Sequence, residues 1–200
     1  MSRRLLFITH ADVVIDPAVP VTEWGLNDRG RARHAAFAAS EAVAGVSAIH
    51  ASAERKAQDG AAILGQALGL PVQTMAALHE NDRSATGYLP REAFEAMADA
   101  FFARPTEAVR GWERAVDAQA RICAAVHEIV AADATQGDIA IVAHGAVGAL
   151  FLSDRMGVAI SRAQDQPANG GGNYLACRLP GLALDHGWRD IAPGHDAATG

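Results

Sequence analysis

Two histidines stand where short apolar runs end. His10 follows Leu5-Leu6-Phe7-Ile8-Thr9, and His144 follows Ile139-Ala140-Ile141-Val142-Ala143. A third run, Val46 to Ala51, leads into Ser52 and then the neighbouring cations Arg55 and Lys56. A histidine pair beside positive side chains is what phosphoryl transfer needs. A neutral imidazole attacks phosphorus, and cations stabilise the charge on the equatorial oxygens. One histidine at a strand end is more often a hydrogen-bonded packing residue; two such ends, the second followed by Gly145, favour function.

For these groups to cooperate, the elements carrying them must converge. The apolar runs have the character of strands buried on both faces. Helices are predicted between them. Asn27 or Asp28 can cap one that reaches about Ala44, and Ser52 is a plausible cap for another with Ala57, Ala61, Leu64 and Leu68 on one face. Further helices are expected at about 91–102, 111–133 and from Gly145 to about Leu152. Asn169-Gly170-Gly171-Gly172-Asn173 reads as a turn before a late strand, Tyr174 to Leu179. Strands alternating with helices predict an α/β fold. In such sheets ligands bind outside the carboxyl ends of the strands, which is where His10, Ser52 and His144 fall. Helix starts near Ser52 and Gly145 would add N–H groups that favour an anion. No repeat or linker divides the chain, so residues 1–200 are expected to form one domain. An inserted loop and helical cap is expected at about 81–115, and a loose tail after about 193.

Composition excludes other classes. The 200 residues carry 17 basic and 23 acidic side chains, a net charge of -6, which argues against a nucleic-acid or membrane-surface binder. Two distant cysteines, Cys123 and Cys177, make a disulfide framework improbable and a reducing cytoplasm the easier setting. No apolar run is long enough to span a membrane. His10-x-Asp12 with nearby Asp16 is a minor metal-site alternative, because no second His/Asp cluster completes it. His34, His127, His186 and His195 read as ordinary surface or core positions, and Trp112 as a core anchor. Of the 17 basic residues only Lys56 is lysine.

The order of the motifs resembles the histidine phosphatase superfamily, whose fold is phosphoglycerate-mutase-like. Thr9-His10-Ala11 stands at its arginine–histidine–glycine signature, and Leu26-Asn27-Asp28-Arg29-Gly30 at its leucine–threonine–glutamate–x–glycine helix entry. Ser52 to Ala57 is similar to its serine–proline–leucine–x–arginine–alanine segment, Leu78-His79-Glu80 to the segment holding its acid, and Ala143-His144-Gly145 to its second histidine motif. The resemblance implies a three-layer α/β/α fold around a mostly parallel sheet. It also implies a metal-independent phosphomonoesterase without a cofactor, acting on a small phosphorylated or anionic molecule. His10 would become phosphohistidine, His144 would support the phosphoryl group and Glu80 would protonate the leaving alkoxide. Two departures weaken the phosphate clamps. Thr9 cannot supply a guanidinium fork, and Lys56 replaces the second arginine with a point charge. Arg55 lies about 100° round the helix from Lys56, and Arg83 on its loop is the freer replacement. These departures motivate an alternative: a catalytically impaired relative that binds a phosphorylated or anionic ligand.

Overall fold

A computed structural model describes residues 3–194; His195 and most of the expected tail lie outside the described residues. Six strands form one sheet in the order β3-β2-β4-β1-β5-β6. They are β1 (Arg4–Thr9), β2 (Val46–Ala51), β3 (Val72–Thr74), β4 (Asp138–Ala143), β5 (Asn173–Arg178) and β6 (Ala183–Asp190). The pairings β1–β4, β2–β4 and β2–β3 are parallel, whereas β5 and β6 close one edge antiparallel. The sheet is therefore mixed, with a parallel centre.

Among the described residues five α-helices complete the fold: α1 (Asp28–Ala38), α2 (Arg55–Leu68), α3 (Arg91–Ala103), α4 (Ala115–Ala132) and α5 (Gly145–Met156). Period-two alternation in the central strands sorts them into layers. Leu6, Ile8, Ala140 and Val142 pack with Phe37, Ala57, Ala61 and Leu64 of α1 and α2. Leu5, Phe7, Ile139 and Ile141 face the other way, onto Ile122, Val126, Val147 and Phe151 of α4 and α5. A third cluster joins Met97, Phe101 and Phe102 of α3 to the buried anchor Trp112 and to Leu150.

Several expectations change in detail. The first helix stops at Ala38, followed by a separate turn at 41–43, because Ser40 donates its hydroxyl to the Phe37 carbonyl at 2.7 Å. α4 starts at Ala115, after left-handed Arg110 and Gly111 break the helical path. Neither β3 nor β6 has a buried residue, so no apolar run marks them in the sequence. No helix among the described residues is long and apolar enough to cross a membrane.

Register brings the functional strand ends together. Thr9 pairs with Ala143 and Ala51 with Val142, so His10, His144 and Ser52 leave the same sheet edge. The His10 amide donates to the Ala143 carbonyl at 3.1 Å, and Ser52 N–H to the Val142 carbonyl at 3.0 Å, extending the ladder to that edge.

Candidate active site

His10 and His144 stand edge to face, their ring centroids 5.3 Å apart. His10 Nδ1 lies 3.0 Å from the carbonyl oxygen of Ala11. That acceptor places the proton on Nδ1 and leaves the Nε2 lone pair for chemistry. Burial, with the Lys56 charge adding to it, pushes the His10 pKa down to about 4, so the imidazole is neutral at pH 7.

The backbone around His10 is clamped from two sides. Its carbonyl accepts from Gly172 N–H at 2.8 Å, and the next amide, Ala11, donates to His34 Nε2 at 3.2 Å. Gly171 and Gly172 hold left-handed φ values of 78° and 66°, and a side chain at 171 would overlap the His10 carbonyl. The glycine run is thus the turn expected, and it closes directly over the strand end that carries His10. His34 is a core position: it is buried, and burial pushes its pKa down to about 3, keeping Nε2 available as an acceptor.

His144 is fully buried at the N-cap of α5. Its Nε2 is 2.8 Å from Ser52 Oγ and 3.5 Å from Glu54 Oε1, while its buried Nδ1 has no protein partner. Burial first, then the neighbouring His10, Lys56 and Arg83, hold its pKa well below the usual imidazole value. Ser52 does not cap α2. The cap position is Glu54, and the Ser52 hydroxyl is engaged with His144 and the Glu54 N–H.

Glu80 is fixed rather than free in its loop. Oε1 accepts from Val147 N–H at 3.1 Å and Asn81 N–H at 3.2 Å, and Oε2 accepts from Ala146 N–H at 3.2 Å. The first turn of α5, expected to face an anion, therefore holds this carboxylate. Oε2 keeps a lone pair free for a proton.

Glu54 is a site residue that sequence reasoning missed. One oxygen accepts Glu80 N–H at 2.9 Å, and the other pairs with Lys56 Nζ. Burial opposes its charge, but the Lys56 ammonium and these hydrogen bonds hold its pKa below the usual carboxylate value. Lys56 is itself buried and also donates to the Val21 carbonyl at 3.0 Å. The only sequence signal for Glu54 was an acidic residue where the resembled segment has leucine.

The remaining candidates divide. Arg83 reaches the crevice, its guanidinium 5.1 Å above the Phe94 ring and 5.8 Å from Trp112, and no carboxylate among the described residues pairs with it. Arg55 points outward, 59% exposed, to Asp59 at 3.1 Å. Thr9 is buried on the opposite face of β1 from His10, as strand alternation requires. Its hydroxyl accepts Asn173 N–H at 2.9 Å and donates to Gln166 Oε1 at 2.7 Å. Gln166 Oε1 also accepts from Asn173 Nδ2 at 3.1 Å, which turns the Gln166 amide nitrogen the other way, against Gly145 in the cavity with His10 and Arg83. Asp12, the metal-site candidate, pairs instead with Arg29 and with buried Arg33 at 3.0 Å. Among the described residues no three His, Cys, Asp or Glu side chains are grouped to hold a metal.

The sequence profile of the histidine phosphatase superfamily (branch 1) matches residues 18–179. The chain belongs to this superfamily. That match begins after His10, so the first histidine motif rests on the geometry above. Solved structures agree on the fold. A mycobacterial glucosyl-3-phosphoglycerate phosphatase with inorganic phosphate superposes with a TM-score of 0.73 at 24% identity, covering 94% of this chain and 95% of that one. The YhfR protein of Bacillus stearothermophilus gives 0.79 at 19% identity over 97% and 99% of the two chains. The alpha-ribazole phosphatase of Shigella flexneri gives 0.70 at 16% over 96% and 98%. A search among curated protein sequences returned no match.

Proposed function

We propose that this histidine phosphatase superfamily member hydrolyses phosphoric monoesters through a phosphohistidine on His10. The observation that carries this reading is the neutral His10 ring, its Nε2 unprotonated, set 5.3 Å from His144 in a crevice reached by Lys56 and Arg83. His10 Nε2 attacks phosphorus, the P–O ester bond breaks, and the leaving alkoxide takes a proton from Glu80 Oε2. Water then attacks the phosphoryl group, the P–N bond breaks, and the water's proton returns to Glu80 as inorganic phosphate is released. Arg83, Lys56 and His144 Nδ1 receive the non-bridging oxygens. The Gln166 amide, anchored by Thr9, donates in place of the guanidinium that Thr9 cannot supply. The fixed N–H and N⁺–H donors reduce the reorganisation needed as charge develops.

Acid-quench labelling with a generic ³²P-phosphomonoester tests this. Acid-labile phosphate on the wild type and none on His10→Ala is the expected result. No label and no turnover across a broad phosphomonoester panel would overturn it. The Glu54–Lys56 pair favours one second reading, a binder of anionic ligands with impaired turnover, because the pair neutralises a cation that catalysis would use. Inorganic phosphate binding without any label identifies that case.

A further inference from the structure

We infer that the substrate is the phosphoric monoester of an apolar, aryl-sized alcohol; this rests on the phosphatase reading and names the leaving group of the same site. A cavity of about 310 Å³ opens beside His10. It is lined by His10, Lys56 and Arg83 and by the apolar walls Val13, Ile15, Val21, Trp24, Leu89 and Phe94, with Tyr88, Gly87 and the exposed Arg91 completing them. Trp24 and Tyr88 lie with ring centroids 5.7 Å apart, tilted by 57°. Apart from the exposed Arg91, the charged lining residues are Lys56 and Arg83 beside the nucleophile, and the rest of the pocket is largely apolar and aromatic.

That division matches one molecule with two ends. The phosphoryl group meets His10 and the cations, and the organic group lies against Trp24, Tyr88 and Phe94. The volume falls near the lower end of the roughly 300–1,000 Å³ of small-molecule pockets, enough for one or two fused rings or a short branched chain. A polyol fits poorly. Beyond Arg91 and the Tyr88 hydroxyl its hydroxyls would face aliphatic and aromatic walls and lose most hydrogen bonds made to water, a loss that discriminates between ligands. The Trp24 indole N–H cannot serve such a ligand, because it donates to the Asp16 and Val19 carbonyls at 2.9 and 3.1 Å. Ile15 and Tyr88 remain 62% and 38% exposed, an apolar rim whose burial a ligand of this kind would complete.

Binding and turnover can be measured separately. Calorimetry with the non-hydrolysable pair 1-naphthylmethylphosphonate and methylphosphonate should show the aryl compound binding about tenfold or more tightly. Ile15→Ser and Tyr88→Ala change exposed rim residues and leave the core intact; each should narrow that ratio at least about threefold, roughly the loss of part of an apolar contact. Equal affinity for the two phosphonates, no binding of either, or a ratio indifferent to both variants overturns the inference. In parallel, 1-naphthyl phosphate should be hydrolysed with a kcat/KM about tenfold or more above that of glycerol 2-phosphate. Equal turnover of the two overturns the apolar assignment, while the phosphatase reading stands. Tight aryl-phosphonate binding with neither ester hydrolysed supports the pocket and overturns the catalytic reading.

Discussion

Replacing Glu54 by glutamine should make the protein less stable and at the same time a better phosphate binder. Glu54 and Lys56 are buried together, with 8% and 2% exposure, and their charges balance. Glutamine keeps an oxygen for Glu80 N–H, so shape and that hydrogen bond survive while the charge is lost. Leaving one partner of a buried ion pair uncompensated costs about 3–5 kcal/mol. For a chain of this size each kcal/mol lowers Tm by about 2–4 °C, so Glu54→Gln should melt roughly 6–20 °C below wild type in phosphate-free buffer. The released ammonium then needs an anion. A charge-assisted hydrogen bond to phosphate contributes about 1.5–3 kcal/mol, a gain of roughly ten- to a hundredfold in affinity.

The assay is a thermal melt titrated with inorganic phosphate at constant ionic strength, beside phosphate inhibition of monoester turnover. Phosphate should restore much of the lost Tm in Glu54→Gln and raise the wild-type Tm far less. The inhibition constant should fall in the same variant. A Glu54→Gln protein that melts like wild type and binds phosphate no more tightly would refute the idea that Glu54 occupies Lys56 at the expense of a ligand.

Other consequences follow from the same contacts. Gln166→Leu should lower kcat/KM by about tenfold or more, the loss of one hydrogen bond to a charged group, and Thr9→Val should do the same by releasing the amide; initial-rate kinetics that leave both variants unchanged would remove Gln166 from the site. Stability should fall as the medium is acidified: His34 and His10 have folded pKa values depressed to about 3 and 4, so the unfolded chain binds more protons from about pH 6.5 downward. Their contribution is complete above about 6.5 and is lost as pH falls through 4 toward 3, and Tm measured from pH 8 to 4 should drop less steeply in His34→Gln than in wild type. Lys56→Arg alone should lower turnover, because a guanidinium held by Glu54 turns its fork from the ligand; in a Glu54→Gln background it should raise turnover, and equal effects in both backgrounds would show the two residues to be uncoupled.

The central strands and the convergence of His10, Ser52 and His144 were legible because burial on both faces writes continuous apolar runs into β1 and β4. The edges were not: β6 exposes or half-buries every residue, so its pairing with β5 leaves no hydrophobic signature. At the site, strand-end histidines announce themselves, whereas a buried carboxylate such as Glu54 is indistinguishable in sequence from a solvated one until its partners are placed. Gln166 was hidden for another reason. Its role depends on which way one amide is turned, and that is decided by Thr9 and Asn173, which lie 157 and 7 residues away in the chain. The same holds for His34, whose neighbour across the fold, Ala11, is 23 residues distant. Local pattern finds groups that end strands; it does not find groups that are aimed by long-range hydrogen bonds.

The single lysine among 17 basic residues acquires a physical reason in this setting. An ammonium carries three N–H donors that rotate freely about one stem, whereas a guanidinium presents a rigid planar fork. Lys56 uses one donor on the Val21 carbonyl and one on Glu54, and its third remains for the cavity it shares with His10. A guanidinium locked bidentate onto Glu54 would turn its fork away from the ligand. Lysine can stay buried, compensated and hydrogen-bonded without substrate and still offer one charged donor to a phosphoryl oxygen. Glu54 and Lys56 are therefore one adaptation: the carboxylate makes the buried cation tolerable, and the choice of ammonium keeps it usable.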